Sequence, residues 1–248
     1  MSVTHDDTTL FSEQRKANIK NLSEDQKLSH ITKQWFVGAS DHNYSYNFDW
    51  LGLPIIQFPQ DILALQEIIW KTKPDIIIET GVARGGSLIL SASILHLING
   101  TGKVIGIDID IRPHNLMAIQ QHPLACRIEM LQGSSIDATI VDKVKKLIKP
   151  NDKVMVILDS NHTHDHVLKE LEYYSPLVTK DNYLVVMDTI VDHMPDNYYP
   201  DRPWGKGNNP KTATHEFLKK TDRFQIDSAI QNKLLITVAV DGYLQCIK

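Results

Sequence analysis

Along most of the chain, short apolar runs alternate with stretches whose apolar positions recur every three or four residues. "DIIIET" (75–80), "KVIGIDID" (103–110), "RIEMLQGSS" (127–135), "KVMVILDS" (153–160) and "NYLVVMDT" (182–189) are the short runs. Near-continuous, β-branched segments of this length predict strands buried on both faces of a parallel sheet. "QDILALQEIIWKTKP" (60–74) places Ile62, Leu65, Ile68 and Ile69 on one helical face, and Pro74 stops that helix. "SLILSASILHLI" (87–98) predicts a helix ending at Asn99-Gly100, and "DHVLKELEYYSPLV" (165–178) predicts another. Strand, loop and helix in repeated order mean an α/β fold with helices on both sheet faces.

The two ends depart from this rhythm. Residues 1–35 are polar with scattered Ile19, Leu22, Leu28 and Ile31, a pattern for a loose arm and one or two amphipathic helices. "NFDWLGLPIIQFP" (47–59) suggests an ordered loop. Near the other end come "FQIDSAI" (224–230), "LLITVAV" (234–240), Asp241-Gly242 and "YLQCIK" (243–248). A strand returning after a DG turn predicts an antiparallel strand at the sheet edge. The expected organisation is an N-terminal arm with helices over 1–47 and one domain over 48–248.

Composition narrows the partners. Of 248 residues, 42% are hydrophobic and 23% charged, and the formal net charge is -4. That balance favours neither a nucleic-acid backbone nor an anionic membrane as partner. Cys126 and Cys246 form no disulfide framework and no zinc spacing, which fits a reducing cytoplasm. "MSVTHDDTTLFSEQRK" lacks an apolar signal core, and no run is long enough to span a bilayer. A cytoplasmic homo-oligomer without membrane insertion is expected.

Ligands of parallel sheets gather at the carboxyl ends of the strands. Glu79, Asp108, Ser134, Asp159 and Asp188 all fall there. "ETGVARGGS" (79–87) follows the first strand and opens a helix. Gly81, Gly85 and Gly86 allow close backbone approach and tight turning. The spacing is not G-x-G-x-x-G, and Glu79 before the first glycine suits a cationic or hydroxyl-bearing ligand better than a diphosphate. Asp108 is placed to accept from ribose hydroxyls, and Ser134 and Ser135 lie where an adenine edge would come. A nucleoside carrying an ammonium group and no phosphate describes S-adenosylmethionine (SAM). Its expected site is Glu79, Gly81, Arg84, Gly85, Ser87, Asp108, Ser134 and Ser135.

Three stretches, "WLGLPIIQFPQDILALQEIIWKTKPDIIIETGVARGGSLILSASIL", "LDSNHTHDHVLKELEYYSPLV" and "YLVVMDTIVDHMP", together resemble the cephalosporin hydroxylase family over roughly residues 48–220. That family is similar to class I SAM-dependent methyltransferases and related to macrolide-sugar and rhamnosyl O-methyltransferases. The resemblance implies a Rossmann-like, mostly parallel seven-stranded sheet with an antiparallel strand near the C-terminus, a divalent metal and methylation of a hydroxyl. A more distant similarity to catechol O-methyltransferase implies roles. Glu79, Gly81, Gly85 and Ser87 match its acid–glycine loop, and Asp108 matches its acid after the second strand. Asp159 matches its metal aspartate, Asp188-Thr189 its Asp-Asn pair, and His162 the place of its general-base lysine. Two positions depart from these patterns: Thr189 replaces an amide ligand, and Met187 stands where some relatives carry Glu.

"DSNHTHDH" (159–166) admits three chemistries. A binuclear zinc hydrolase uses H-x-H-x-D-H, but H-T-H-D-H is one residue short and the strand–helix alternation is wrong for that fold. A non-haem iron oxygenase needs two histidines and a carboxylate, but the usual H-x-D step is absent and its fold is a double-stranded β-helix, which this pattern is not. The third has Asp159 and Asp188 holding Mg²⁺ or Mn²⁺, with His162 taking the acceptor proton. His164 and His166 are then candidates for supporting or substrate contacts. "DHMPDNYYPDRPWGKGNNP" (192–210) is long and irregular enough for a functional loop. Its Tyr198, Tyr199 and Trp204 suit stacking on a sugar, and Arg202 and Lys206 suit a phosphate. The expected function is O-methylation of a sugar hydroxyl, on a nucleotide-sugar or glycan precursor. A catalytically weak SAM-binding or assembly subunit is the alternative from another class.

Overall fold

The computed structural model describes residues 5–98 and 100–248. The expected helix stop at Asn99-Gly100 therefore lies partly outside the described residues, as does the start of the arm. The N-terminal segment forms α1 (His5–Glu24) and α2 (Gln26–Ser40), the latter capped by the Asp25 carboxylate on the Leu28 N–H. The stretch expected as a loop contains a small hairpin of β1 (Phe48–Trp50) and β2 (Leu53–Ile55). Leu51 and Gly52 both take positive φ at its turn, the geometry a two-residue hairpin requires.

The main body then follows the predicted alternation: α3 (Pro59–Thr72), β3 (Ile76–Thr80), α4 (Gly86–Leu97), β4 (Lys103–Asp108), α5 (Pro113–Gln121), β5 (Ile128–Gln132), α6 (Ala138–Leu147), β6 (Val154–Leu158), α7 (His164–Tyr174) and β7 (Tyr183–Val186). The closing elements are α8 (Pro210–Leu218), β8 (Phe224–Ile226), α9 (Ser228–Leu234) and β9 (Tyr243–Cys246). One seven-stranded sheet has the order β5-β4-β3-β6-β7-β9-β8. β3 to β7 pair in parallel, and β9 runs antiparallel to both of its neighbours.

Strand periodicity divides the core into two layers. Ile77, Met155, Ile157 and Val185 pack with Leu65 and Ile68 of α3 and Leu88 of α4. Ile76, Ile78, Val154, Val156 and Leu184 pack with Val144 of α6, Leu171 of α7 and Phe217 of α8. Burial on both faces is why these strands read as unbroken apolar runs.

Two expectations about the C-terminal end are corrected. The returning strand, β9, is interior, and β8 occupies the edge. "LLITVAV" is not a strand, because its polar groups are bonded elsewhere. The buried Asp61 carboxylate accepts from the Thr237 hydroxyl and, at 3.0 Å, from the Val238 N–H. The Val238 carbonyl accepts from the Ile190 N–H at 3.0 Å and the Thr189 hydroxyl at 3.2 Å. "SAI" of 224–230 likewise opens α9, capped by Asp227 on the Ala229 N–H.

Candidate active site

The parallel register stacks the strand ends that carry the chemistry. The Asp159 N–H donates to the Thr80 carbonyl at 2.9 Å, and the Met187 N–H to the Leu158 carbonyl at 2.9 Å. These bonds place Gly81, Asp159 and Asp188 side by side beyond β3, β6 and β7. Asp188 adopts φ 55° and ψ 19°, a left-handed conformation that aspartate tolerates better than most residues. That turn swings its carboxylate back over the strand ends. Asp159, His162 and Asp188 each offer a ligand atom, and these atoms lie within 4.8 Å of one another. They form the one such group of His, Cys, Asp or Glu among the described residues. His162 Nε2 is 3.3 Å from Asp188 Oδ2.

The carboxyl groups at this centre have no Lys or Arg partner among the described residues; only His162 faces one of them. Burial, then the nearby Asp188 and Glu79 carboxylates, push the Asp159 carboxyl well above its ordinary value. Glu79 is 1% exposed, and burial pushes it up to about 7, opposed only by the hydroxyl bond from Ser87. Glu79 Oε2 is buried without a partner. A cluster of acids in this state fits a cation.

Two cavities adjoin it. One, of about 260 Å³, is walled by Gly81, Ala83, Asp108, Ile109, Ser134, Ser135, Asp159 and His166. A smaller recess beside Gln57, Arg84 and Ser87 continues it along the glycine loop. The expected donor residues therefore converge, with one change of role. Asp108 Oδ2 accepts from the Val82 N–H at 2.8 Å and Oδ1 from the Asp110 N–H at 2.9 Å. The carboxylate thus braces the loop, with lone pairs left for a ligand hydroxyl. The glycines are also explained differently. A Cβ on Gly81 would lie 2.0 Å from the Asp159 carbonyl oxygen, and one on Gly86 2.4 Å from that of Pro54. The close approach they permit is to the protein's own backbone.

The second cavity, of about 480 Å³, lies in the 192–210 loop among Tyr198, Tyr199, Arg202 and Trp204. Trp204 meets the His162 ring edge-on at 4.9 Å, and the Arg202 guanidinium stacks on Trp204 at 5.2 Å. Asp188 lies close enough to Tyr199 to help burial push its phenol up to about 12. Tyr198 donates to Asp41 at 2.7 Å, tying the loop to the end of α2. Lys206 is paired with Asp196.

The other two histidines leave the carboxylate centre. His164 Nδ1 is 2.8 Å from the Thr212 hydroxyl and Nε2 is 3.2 Å from Glu216, so it docks α7 on α8. His166 faces Ser135 and Ser160 on the wall of the first cavity. Among the described residues no three-histidine centre of the hydrolase kind is assembled. Thr189 is fully buried and gives its hydroxyl proton to Val238. The third side chain at the centre is His162. Two buried acids went unnoticed in the sequence. Glu170 had a local signal in its four-residue spacing from His166; Asp61 had only its place in the first turn of a helix.

Comparisons with known proteins bear on the family and the fold. The family model described as rhamnosyl O-methyltransferase/CmcI matches residues 42–247. The chain belongs to this family. A rhamnosyl O-methyltransferase of Mycobacterium leprae is 28% identical over 214 residues, spanning 85% of this chain and 87% of that protein. One of Mycobacterium tuberculosis is 29% identical over 219 residues, spanning 84% of each. A solved structure of CmcI with Mg and SAM covers 82% of this chain and 78% of its own, with a TM-score of 0.58 at 21% identity. An O-methyltransferase from Bacillus cereus in complex with SAH covers 81% of this chain and 82% of its own, with a TM-score of 0.52 at 13% identity. The structural likeness establishes the class I methyltransferase fold; the family match carries the relationship.

Proposed function

We propose that this member of the family is a SAM-dependent, divalent-cation-dependent O-methyltransferase acting on a sugar hydroxyl. The observation that carries the reading is the Asp159–His162–Asp188 centre, where Asp159 lines the cavity of the expected donor residues and His162 meets Trp204 of the aromatic cavity in the 192–210 loop. The named activity of the mycobacterial relatives supports a sugar acceptor and makes rhamnose the first sugar to try.

The residues present fit both absent groups. Glu79 has an unpartnered buried oxygen suited to a cationic donor, and Asp108, Ser134 and Ser135 line a cavity suited to a nucleoside. Asp159 and Asp188, with His162 at hand, offer the hard-ligand set of a small divalent cation. Bound SAM supplies a methyl group already activated on sulfonium, so much of the rate must come from alignment. A bound Mg²⁺ or Mn²⁺ supplies Lewis-acid polarisation of the acceptor hydroxyl.

The chain's own groups do the rest. His162 receives the acceptor proton on the ring nitrogen that does not face Asp188, and Asp188, 3.3 Å from Nε2, orients the ring and stabilises the imidazolium that results. Trp204 packs edge-on against the same ring at 4.9 Å. Tyr198, Tyr199 and Trp204 present aromatic surface to a sugar. Arg202 has no carboxylate partner among the described residues and would meet an anionic part of the acceptor, such as the diphosphate of a nucleotide-sugar. We assign the reaction to the cytoplasm, in keeping with the free Cys126 and Cys246 thiols.

The test is mass spectrometry of rhamnose-bearing nucleotide-sugars and glycans incubated with the protein, SAM and Mg²⁺. The expected result is a product one methyl group heavier, with stoichiometric S-adenosylhomocysteine. SAM binding without transfer to any sugar would favour the assembly-subunit reading.

A further inference from the structure

Between the donor cavity and the buried side of α7 lies a set of polar groups that neither the cation centre nor the acceptor loop uses. Glu170 is fully buried, and its Oε2 has no partner. Its Oε1 accepts from the Ser160 hydroxyl at 2.7 Å. His166 Nε2 lies 3.3 Å from the Ser160 oxygen and 3.1 Å from that of Ser135, itself 5% exposed. The Ser135 carbonyl is held by the Tyr174 hydroxyl at 2.7 Å.

This network selects a tautomer. The Ser160 proton is committed to Glu170, so the Ser160 oxygen is left to accept. The separation of His166 Nε2 from Glu170 Oε1, 3.6 Å, is too long for a direct hydrogen bond. In the neutral ring, the tautomer with its hydrogen on Nε2 lets both serine oxygens accept it. Nδ1 is left as a lone-pair acceptor. It has no hydrogen-bond partner among the described residues, and the ring forms part of the cavity wall. Ile109, 72% exposed, lines the same cavity and offers an apolar surface on which a flat base can lie.

We propose that His166, held in this tautomer by Ser160 and Glu170, determines the donor's base: Nδ1 accepts from the exocyclic amine of adenine. The inference rests on the donor reading above and moves His166 from the acceptor side to the donor side. A base with an oxo group at that position would set a lone pair against a lone pair. Glu170 is a positioning residue, acting through Ser160 on the ring.

The experiment is calorimetry with S-adenosylhomocysteine and its 6-oxo counterpart, S-inosylhomocysteine. The wild type is expected to prefer the adenosyl ligand roughly 10–100-fold, the scale of one buried hydrogen bond replaced by a mismatch. His166→Phe keeps a ring and loses both nitrogens, and His166→Ala is measured beside it. In either, the preference should fall to about twofold or less. His166→Gln, with a carbonyl able to accept, should keep part of it. A purely structural role would weaken both ligands together, and an unchanged ratio in either folded variant overturns the inference while leaving the donor reading intact. A wild type that binds neither ligand overturns both.

Discussion

Glu79→Gln probes the donor site through stability, in the absence of any ligand. Glu79 is 1% exposed, accepts from Ser87 through one oxygen and has no partner for the other, and burial pushes its carboxyl from 4.5 up to about 7. The folded protein thus binds this proton more tightly than the unfolded chain. Stability falls as pH rises between those two values, and the deficit is complete above about pH 7. The full gap corresponds to about 3 kcal/mol. Glutamine removes the charge at every pH, while its unpaired N–H group carries a penalty that does not change with pH. The variant-minus-wild-type stability should therefore shift by about 2–3 kcal/mol in the variant's favour between pH 5 and pH 8. Urea unfolding of both proteins at the two pH values, without ligand, measures it. The same substitution should weaken S-adenosylhomocysteine binding about 10–100-fold, the scale of a lost charge-assisted bond. A stability difference that stays constant with pH would refute the picture of a buried carboxylate awaiting a cationic partner.

Asp159→Asn and Asp188→Asn should bind S-adenosylhomocysteine within a few-fold of wild type yet lose Mn²⁺ binding in a calorimetric titration; loss of donor binding in both would merge the two sites. His162→Ala should lose roughly two to four powers of ten in kcat, with residual activity rising toward alkaline pH. Near-normal turnover at neutral pH would move the base to another group. Trp204→Ala removes the edge-on contact to His162 and the Arg202 platform. It should raise acceptor KM about tenfold, the scale of one aromatic contact, with donor affinity unchanged; a donor effect instead would detach the loop from the acceptor.

Most of the parallel body of the sheet was legible because β3, β4, β6 and β7 are buried on both faces and so appear as apolar runs with acids at their ends, while β5 is a half-buried edge strand followed by Ser134. Those endings also marked the crevice. What local pattern could not supply was partnership across the chain. "LLITVAV" has strand-like residues, but Asp61, Thr189 and Ile190 take its bonds, and the Tyr243 hydroxyl, 182 positions from Asp61, joins the same carboxylate at 2.6 Å. The histidines show the same limit. His162, His164 and His166 are neighbours in sequence, yet the turn into α7 sends them to the carboxylate centre, to α8 and to the donor cavity. The glycine loop was recognisable by composition, while its packing against the Asp159 and Pro54 backbones needed the fold.

The measurement that bears most directly on the account is the rate of methyl transfer from labelled SAM to a rhamnose-bearing acceptor as EDTA and then Mg²⁺ are titrated, in wild type and Asp188→Asn. The account predicts that EDTA stops wild-type transfer, that Mg²⁺ restores it, and that Asp188→Asn stays low throughout while still binding S-adenosylhomocysteine. Full transfer in EDTA, or wild-type rates in the variant, would contradict a cation held by Asp159 and Asp188 at the reacting hydroxyl.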